Sequence, residues 1–154
     1  MAEAYSQLEA GYEFPPGNYK LDASKVALFL KAIGDTSRLY QDNRPALSLP
    51  ALSLSNVSKR LVPPMAVAAL AMAALSNTIS LPPGSIHVSQ ELSFVKAIST
   101  DDDLTSYAKI SRTQKRGGLH LITVDLNVRN QDQQTVLTGK TSFILPRMEA
   151  ENKQ

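Results

Sequence analysis

The groups in this chain able to do chemistry are few. It has two histidines, His87 and His120, and no cysteine, so thiolate nucleophiles, disulfides and thiolate zinc sites are excluded. The histidines lie 33 positions apart, which matches no helical or hairpin metal-binding spacing, and no metal site is expected. Asp101-Asp102-Asp103 lacks the spaced oxygen ligands and the glycine of a calcium loop, and reads as a solvated turn. Lys115-Arg116-Gly117-Gly118 joins two strand-like runs, so it is not a phosphate loop, which links a strand to a helix. The segment Asp35-Thr36-Ser37-Arg38-Leu39-Tyr40-Gln41-Asp42 stands out because it follows a helix end. A polar loop held by a rigid element is a common place for reacting groups.

The helix before that loop starts at Asp22, a good N-cap. Val26, Phe29, Leu30 and Ile33 fall at i, i+3, i+4 and i+7 on one core-facing stripe, and Gly34 closes the helix. A second helix is more conspicuous. From Met65 through Leu75 no residue is polar, so it is expected to be wrapped on most of its circumference. Pro63 and Pro64 suit its start, and Ser76-Asn77 with Pro82-Pro83-Gly84 mark its end. The apolar run is shorter than the roughly 20 residues a bilayer requires, so no membrane span is expected. Its alanines keep the helix thin enough for a sheet to approach closely.

Four strand-like runs follow. In the first, Ile86, Val88, Leu92, Phe94 and Ile98 share one face, and His87, Ser89, Glu91 and Ser93 the other. Leu104, Ala108 and Ile110 line the second, which ends in the hairpin signal at Lys115–Gly118. Ile122, Val124, Leu126 and Val128 alternate with polar residues in the third, which His120 opens on the core-side face. Leu137, Phe143 and Leu145 line the fourth. Short turns between consecutive runs imply an antiparallel meander, and an apolar helix is most easily buried by a curled sheet around it. The expected fold class is α+β, a hotdog in which the sheet wraps a central helix.

The chain of 154 residues fits a single domain, residues 1–154, with 14–146 as its ordered core. Residues 1 to 13 read as a polar lead-in. The tandem Pro45-Ala46-Leu47-Ser48-Leu49 and Pro50-Ala51-Leu52-Ser53-Leu54 is too short for a repeat fold. A net charge of +2 from scattered basic residues gives no ground for nucleic-acid binding. The amino terminus has no basic segment leading into an apolar one, and a cytoplasmic location is expected.

The Ala32-Ile33-Gly34-Asp35 helix running into Leu39-Tyr40-Gln41-Asp42, the entry Val62-Pro63-Pro64-Met65, the stretch Ile86-His87-Val88-Ser89-Gln90-Glu91 and Arg129-Asn130-Gln131-Asp132 together resemble the MaoC-like hydratase and dehydratase family of hotdog proteins. The likeness is to the N-terminal-type domain of (3R)-hydroxyacyl thioester dehydratases. It implies an acyl thioester of coenzyme A or carrier protein as substrate, no further cofactor, and a homodimer or a heterodimer with another hotdog subunit. It also implies Asp35 and Tyr40 as catalytic positions, with Val62, Pro63, Pro64, Met65 and His87 against the substrate. Active members use an Asp and a His in Gly-Asp-x-Asn-Pro-x-His. Here Gly34 and Asp35 match, while Ser37, Arg38 and Tyr40 stand where the family has Asn, Pro and His.

Hydrating an enoyl thioester takes a base for the water and an acid for the α-carbon, with a helix-start N–H to polarise the carbonyl. A phenol with an ordinary pKa near 10 is a poorer neutral-pH proton shuttle than imidazole. The resemblance therefore leaves two functions open: a (3R)-specific hydratase or dehydratase, or a non-catalytic acyl-binding or scaffolding subunit. A hotdog thioesterase is a third. On residue chemistry alone, Asp35 ordering its loop, Tyr40 as a packed aromatic and the histidines as hydrogen-bonded structural groups are the plainer alternatives.

Overall fold

A computed structural model of the chain describes residues 3–4, 9–41, 60–100 and 102–146. The tandem pentapeptide and Asp101 lie outside them. In chain order the elements are β1 (Glu3–Ala4), β2 (Gly17–Lys20), α1 (Ala23–Ile33), α2 (Arg38–Gln41), α3 (Pro64–Thr78), β3 (Ile79–Ser80), β4 (Ile86–Phe94), β5 (Asp103–Arg116), β6 (Leu119–Arg129) and β7 (Thr135–Leu145). The main sheet is antiparallel in the order β2-β5-β6-β7-β4, and β1 pairs in parallel with β3.

Only β5, β6 and β7 form the expected meander. Their turns suit hairpins: Gly117 and Gly118 take φ of 55° and 80°, which glycine reaches without a Cβ clash. The run from Ile86 does not pair with the next one. It crosses to the far edge and pairs with β7, while Tyr19-Lys20 pairs with β5 at the other edge. Asp103 belongs to β5, and Asp102 turns the chain by accepting the Ser99 N–H at 2.9 Å. Residues 11–14 are no free lead-in either. Gly11 and Phe14 donate to Ile110 and Ala108 of β5, and Ile110 donates back to Tyr12.

The helix face of the sheet carries the core. Leu104, Ile110, Ile122, Val124, Val128, Leu137 and Leu145 are fully buried there, and the alternation along β6 puts Ile122, Val124, Leu126 and Val128 inward. From α3 they meet Ala66, Val67, Ala68, Ala71 and Leu75. The wrapping is less complete than an all-apolar sequence implies. Met65, Ala69 and Ala73, four residues apart along the helix, stay exposed. A methyl side chain loses little by remaining wet, so sequence hydrophobicity did not distinguish this strip from the buried one. α1 behaves likewise: Val26 and Leu30 are buried, but Ile33 is 57% exposed.

The opposite face is polar across its middle, with Ile86, Ile144 and Leu121 side by side at one end. Glu91, Lys140, Asp125, Lys109 and Glu13 stand side by side on successive strands, alternating in sign across the whole sheet. Lys109 Nζ lies 3.0 Å from Glu13 Oε1, and Arg129 sits 5.3 Å above the Tyr107 ring. A shallow groove of about 650 Å³ runs over these residues. Opposite charges directly across strands stabilise a sheet modestly, about 0.2–1 kcal/mol each.

Candidate functional site

α1 delivers Asp35 by a complete helix-stop. Asp22 caps the start by accepting the Lys25 N–H at 2.8 Å. That bond and the Ser24 hydroxyl hold the Asp22 carboxyl below its usual pKa, the hydroxyl more strongly. At the other end Gly34 turns left-handed at φ 69°, its N–H reaching Lys31 O and the Asp35 N–H reaching Leu30 O at 3.0 Å. Asp35 Oδ1 then accepts the Ser37 N–H at 2.8 Å, and Ser37 O accepts from Tyr40 at 3.3 Å. The loop read as polar thus folds into the short helix α2. The Asp35 carboxylate orders it, with one oxygen engaged by the backbone.

Tyr40 is half-buried against a large core cluster that includes Val26 and Leu30 of α1 and Val62, Ala66 and Val67 at the start of α3. Val62 is buried and donates to Ile98 O at 2.9 Å, fixing the strand-like lead into the helix. Pro63 is the N-cap with no side-chain bond, and Pro64 is the first helical residue. Neither has an N–H. The donors that a helix start normally points outward therefore begin only at Met65, itself 53% exposed.

His87 lies elsewhere, and on the other face from the one its sequence spacing implied. A bulge between His87 and Ser89 shifts the parity of β4, so His87 joins Gln90, Leu92 and Phe94 on the helix side while Ile86, Ser89, Glu91 and Ser93 face outward. Ile86 and Val88 are consequently exposed instead of lining the core with Leu92. The His87 ring stacks on Phe143 at 5.0 Å, and Nε2 lies 2.8 Å from Thr141 Oγ1 and 3.1 Å from Ser89 O. Thr141, fully buried, was not singled out in the sequence; a hydroxyl at a core-side position of an otherwise apolar face was the available signal.

No imidazole among the described residues bonds Asp35. His120 holds the core-side place expected of it, opposite Leu145 and Lys115, with Nε2 buried and unpartnered. Burial, and secondarily Lys115, lowers its pKa from 6.5. The sign follows directly. The unfolded chain binds this proton at a higher pH than the folded one, so the stabilisation is complete above 6.5 and is lost as pH falls through the lowered folded value. Thermal midpoints should fall between about pH 7 and 5, and His120→Phe should flatten that slope. An unchanged slope in the variant would exclude His120 as its source. Burial likewise raises the Tyr19 phenol pKa, so its hydroxyl stays protonated.

An antiparallel five-stranded sheet packed over one central helix is the architecture of a hotdog domain. Residues 9–139 match the profile of the family described as FAS1-like, dehydratase domain region. The chain belongs to this MaoC-like hotdog dehydratase family. Comparison with curated proteins finds no significant match.

Among solved structures, the chain is similar to an (R)-hydratase from A. caviae involved in PHA biosynthesis, at 21% identity and TM-score 0.70, over 91% of this chain and 98% of that one. It is also similar to a MaoC-like dehydratase from Rhodospirillum rubrum, at 18% identity and TM-score 0.70, over 94% and 97%. A third is the HadBC (3R-hydroxyacyl-ACP dehydratase) complex from Mycobacterium tuberculosis, at 17% and 0.65, over 88% and 96%. At such identities the likeness is one of fold. Among the described residues no helix is long and apolar enough to cross a membrane.

Proposed function

We propose that this chain is an acyl-thioester-binding hotdog subunit of the (3R)-hydroxyacyl dehydratase class that does not carry out hydration by itself. One observation carries the reading: Asp35 is bonded by its own loop, with Tyr40 instead of an imidazole five residues on, and α3 has proline both at its cap, Pro63, and at its first helical position, Pro64. Water activation and carbonyl polarisation each lose their usual donor or acceptor. What remains is a holding site, in which Val62, Pro63, Pro64 and Met65 line the thioester and His87 belongs to the wall farther along the sheet. The substrate is a thioester of coenzyme A or of a carrier protein.

Such a subunit works in a pair, and the pairing surface is β4. Of the two sheet edges, β2 is four residues long and polar, whereas β4 is nine residues long and exposes Ile86, Val88 and Phe94. A long unpaired edge that exposes apolar side chains is a template for another strand. The second strand comes either from a copy of this chain or from a homologous hotdog that carries the Asp–His dyad.

The test uses the purified chain. Hexanoyl-CoA should bind while crotonyl-CoA is not hydrated above the uncatalysed rate, and hydration should appear on mixing with a hotdog subunit that has the complete motif. Efficient hydration by the chain alone, abolished by Asp35→Asn, would replace this reading with the catalytic one.

A further inference from the structure

The outer face of the sheet divides into bands. At its apolar end Leu121 of β6, Ile144 of β7 and Ile86 of β4 are partners in register, and Leu119 shares their face two residues earlier on β6. Ile86 and Leu119 are exposed, while Leu121 and Ile144 are half-buried. A hydroxyl band comes next, where Thr123 and Ser142 bond at 3.1 Å, and only then the charged row. An exposed apolar patch with polar borders marks a place where another molecule sits.

The row continues on β5 with Gln114, opposite Leu121. The bulge between Ile110 and Arg112 puts Arg112 and Arg116 on this same outer face, two residues to either side of Gln114. Both arginines are exposed, and among the described residues neither forms an ion pair or a side-chain hydrogen bond. At the usual rise of a strand they stand about 13 Å apart, enough to flank a helix of about 10–12 Å diameter lying over Gln114. Along the row, side chains follow at the strand spacing of about 4.8 Å, and the apolar stripe of a helix repeats every three or four residues, about 4.5–6 Å. A helix laid across the strands therefore keeps step with the row, and its end runs between two cations without partners.

Charge decides what occupies this place. No Asp or Glu lies within α1, α2 or α3, so no helix of a second copy brings the carboxylates that the arginines call for. Residues 43–59 contain none either, and 147–154 have only Met148 and Ala150 as apolar residues. A lipid surface is too broad. Resting on this end it would reach Asp125, about 13 Å along β6 from Leu121, and a row holding three carboxylates and two lysines. A single helix is narrow enough to stop short of that row.

We propose that the Leu119, Leu121, Ile144 and Ile86 end of the outer face docks an acidic amphipathic helix of a different protein, laid across the strands with its carboxylate-bearing end between Arg112 and Arg116. The inference goes beyond the acyl-thioester reading and does not use it. Tyr40 packs with the core on the other side of the sheet, so this helix neither delivers nor covers the thioester.

The probe is a synthetic helical peptide of about 18 residues, with leucine at i, i+3 and i+7 and glutamates on both flanks of the stripe in its last two turns. A second peptide carries lysine in place of every glutamate. The natural chain should bind the glutamate peptide with Kd below about 100 μM and at least about tenfold more tightly than the lysine peptide. Amide shifts should fall in residues 112–121 and 142–144. Ile144→Ser should weaken binding at least about tenfold, and Arg112→Glu combined with Arg116→Glu should invert the preference between the peptides. Thermal midpoints establish that the variants are folded. Hexanoyl-CoA binding should be equal in all of them, so the acyl-thioester reading can fail while this one stands.

Equal binding of the two peptides, an unchanged preference in the double variant, or shifts confined to α1–α3 overturns the proposal. Failure to bind either peptide overturns it too, and cosedimentation with vesicles of phosphatidylglycerol and phosphatidylcholine in that case would assign the end to a lipid surface. Weaker self-association of Ile144→Ser in sedimentation equilibrium would make the patch a contact between copies, which also overturns it.

Discussion

Combining Tyr40→His with Pro64→Gly should raise crotonyl-CoA hydration by at least about a thousandfold over the natural chain, with either change alone giving far less. The expectation follows from what the two positions lack. A positioned acid or base contributes about 10²–10⁴ to such a reaction, and one preorganised donor to a developing oxyanion about 10²–10³. Tyr40 and the first turn of α3 belong to the same core cluster, so an imidazole at 40 and an N–H restored by glycine at 64 are the two groups the family's reaction lacks here. Groups acting on one transition state do not contribute independently. A proton shuttle without a polarised carbonyl has little to push against, and the converse holds too. Adding Asp35→Asn to the pair should remove the gain. A natural chain that already hydrates as fast as the double variant would show that the prolines and the phenol are no obstacle.

Gly139→Val should cost about 3 kcal/mol, the upper part of the usual range for overpacking. Gly139 lies on β7 opposite Leu92, and a Cβ there would come 2.7 Å from the Glu91 carbonyl oxygen and 2.9 Å from Leu92 Cδ2. The leucine tip could rotate away. The carbonyl cannot, because it is the backbone of the neighbouring strand. β4 must therefore move outward along its middle, and since it pairs only with β7 it has nothing else to hold it. Urea unfolding should show the lower midpoint, and amide exchange should be fastest in Ile86–Phe94. Unchanged exchange in that strand, with stability intact, would mean that the close approach is not what keeps residue 139 small.

Much of this fold can be read in the residues. The Asp22 cap, the Gly34 stop and the alternation from Ile122 to Val128 are local signals, and each fixes its element without help from the rest of the chain. The place of β4 is not a local property. Nothing in Ile86–Phe94 says that its partner is β7, about fifty residues later, instead of the next run. The face of His87 depends on one extra residue in the strand, and a bulge leaves no mark on a pattern of hydrophobicity beyond a break in the alternation, here the polar Gln90. In the site, the prolines at 63 and 64 are plain in the sequence, and Tyr40 stands in place of an imidazole only by comparison with the motif of the family the chain resembles. That the Asp35 carboxylate serves its own loop, and that Thr141 anchors His87, required coordinates.

The alternating row from Glu91 to Glu13 restricts how large an assembly this domain can build. Stacking a further layer over that row would strip water from five ionised groups whose neighbours already neutralise them, with no apolar side chain in the row to offset the cost. A second domain would meet a lower desolvation cost beside the free margin of the sheet than over this row. A fluorophore or tether attached to the charged back should accordingly leave association undisturbed.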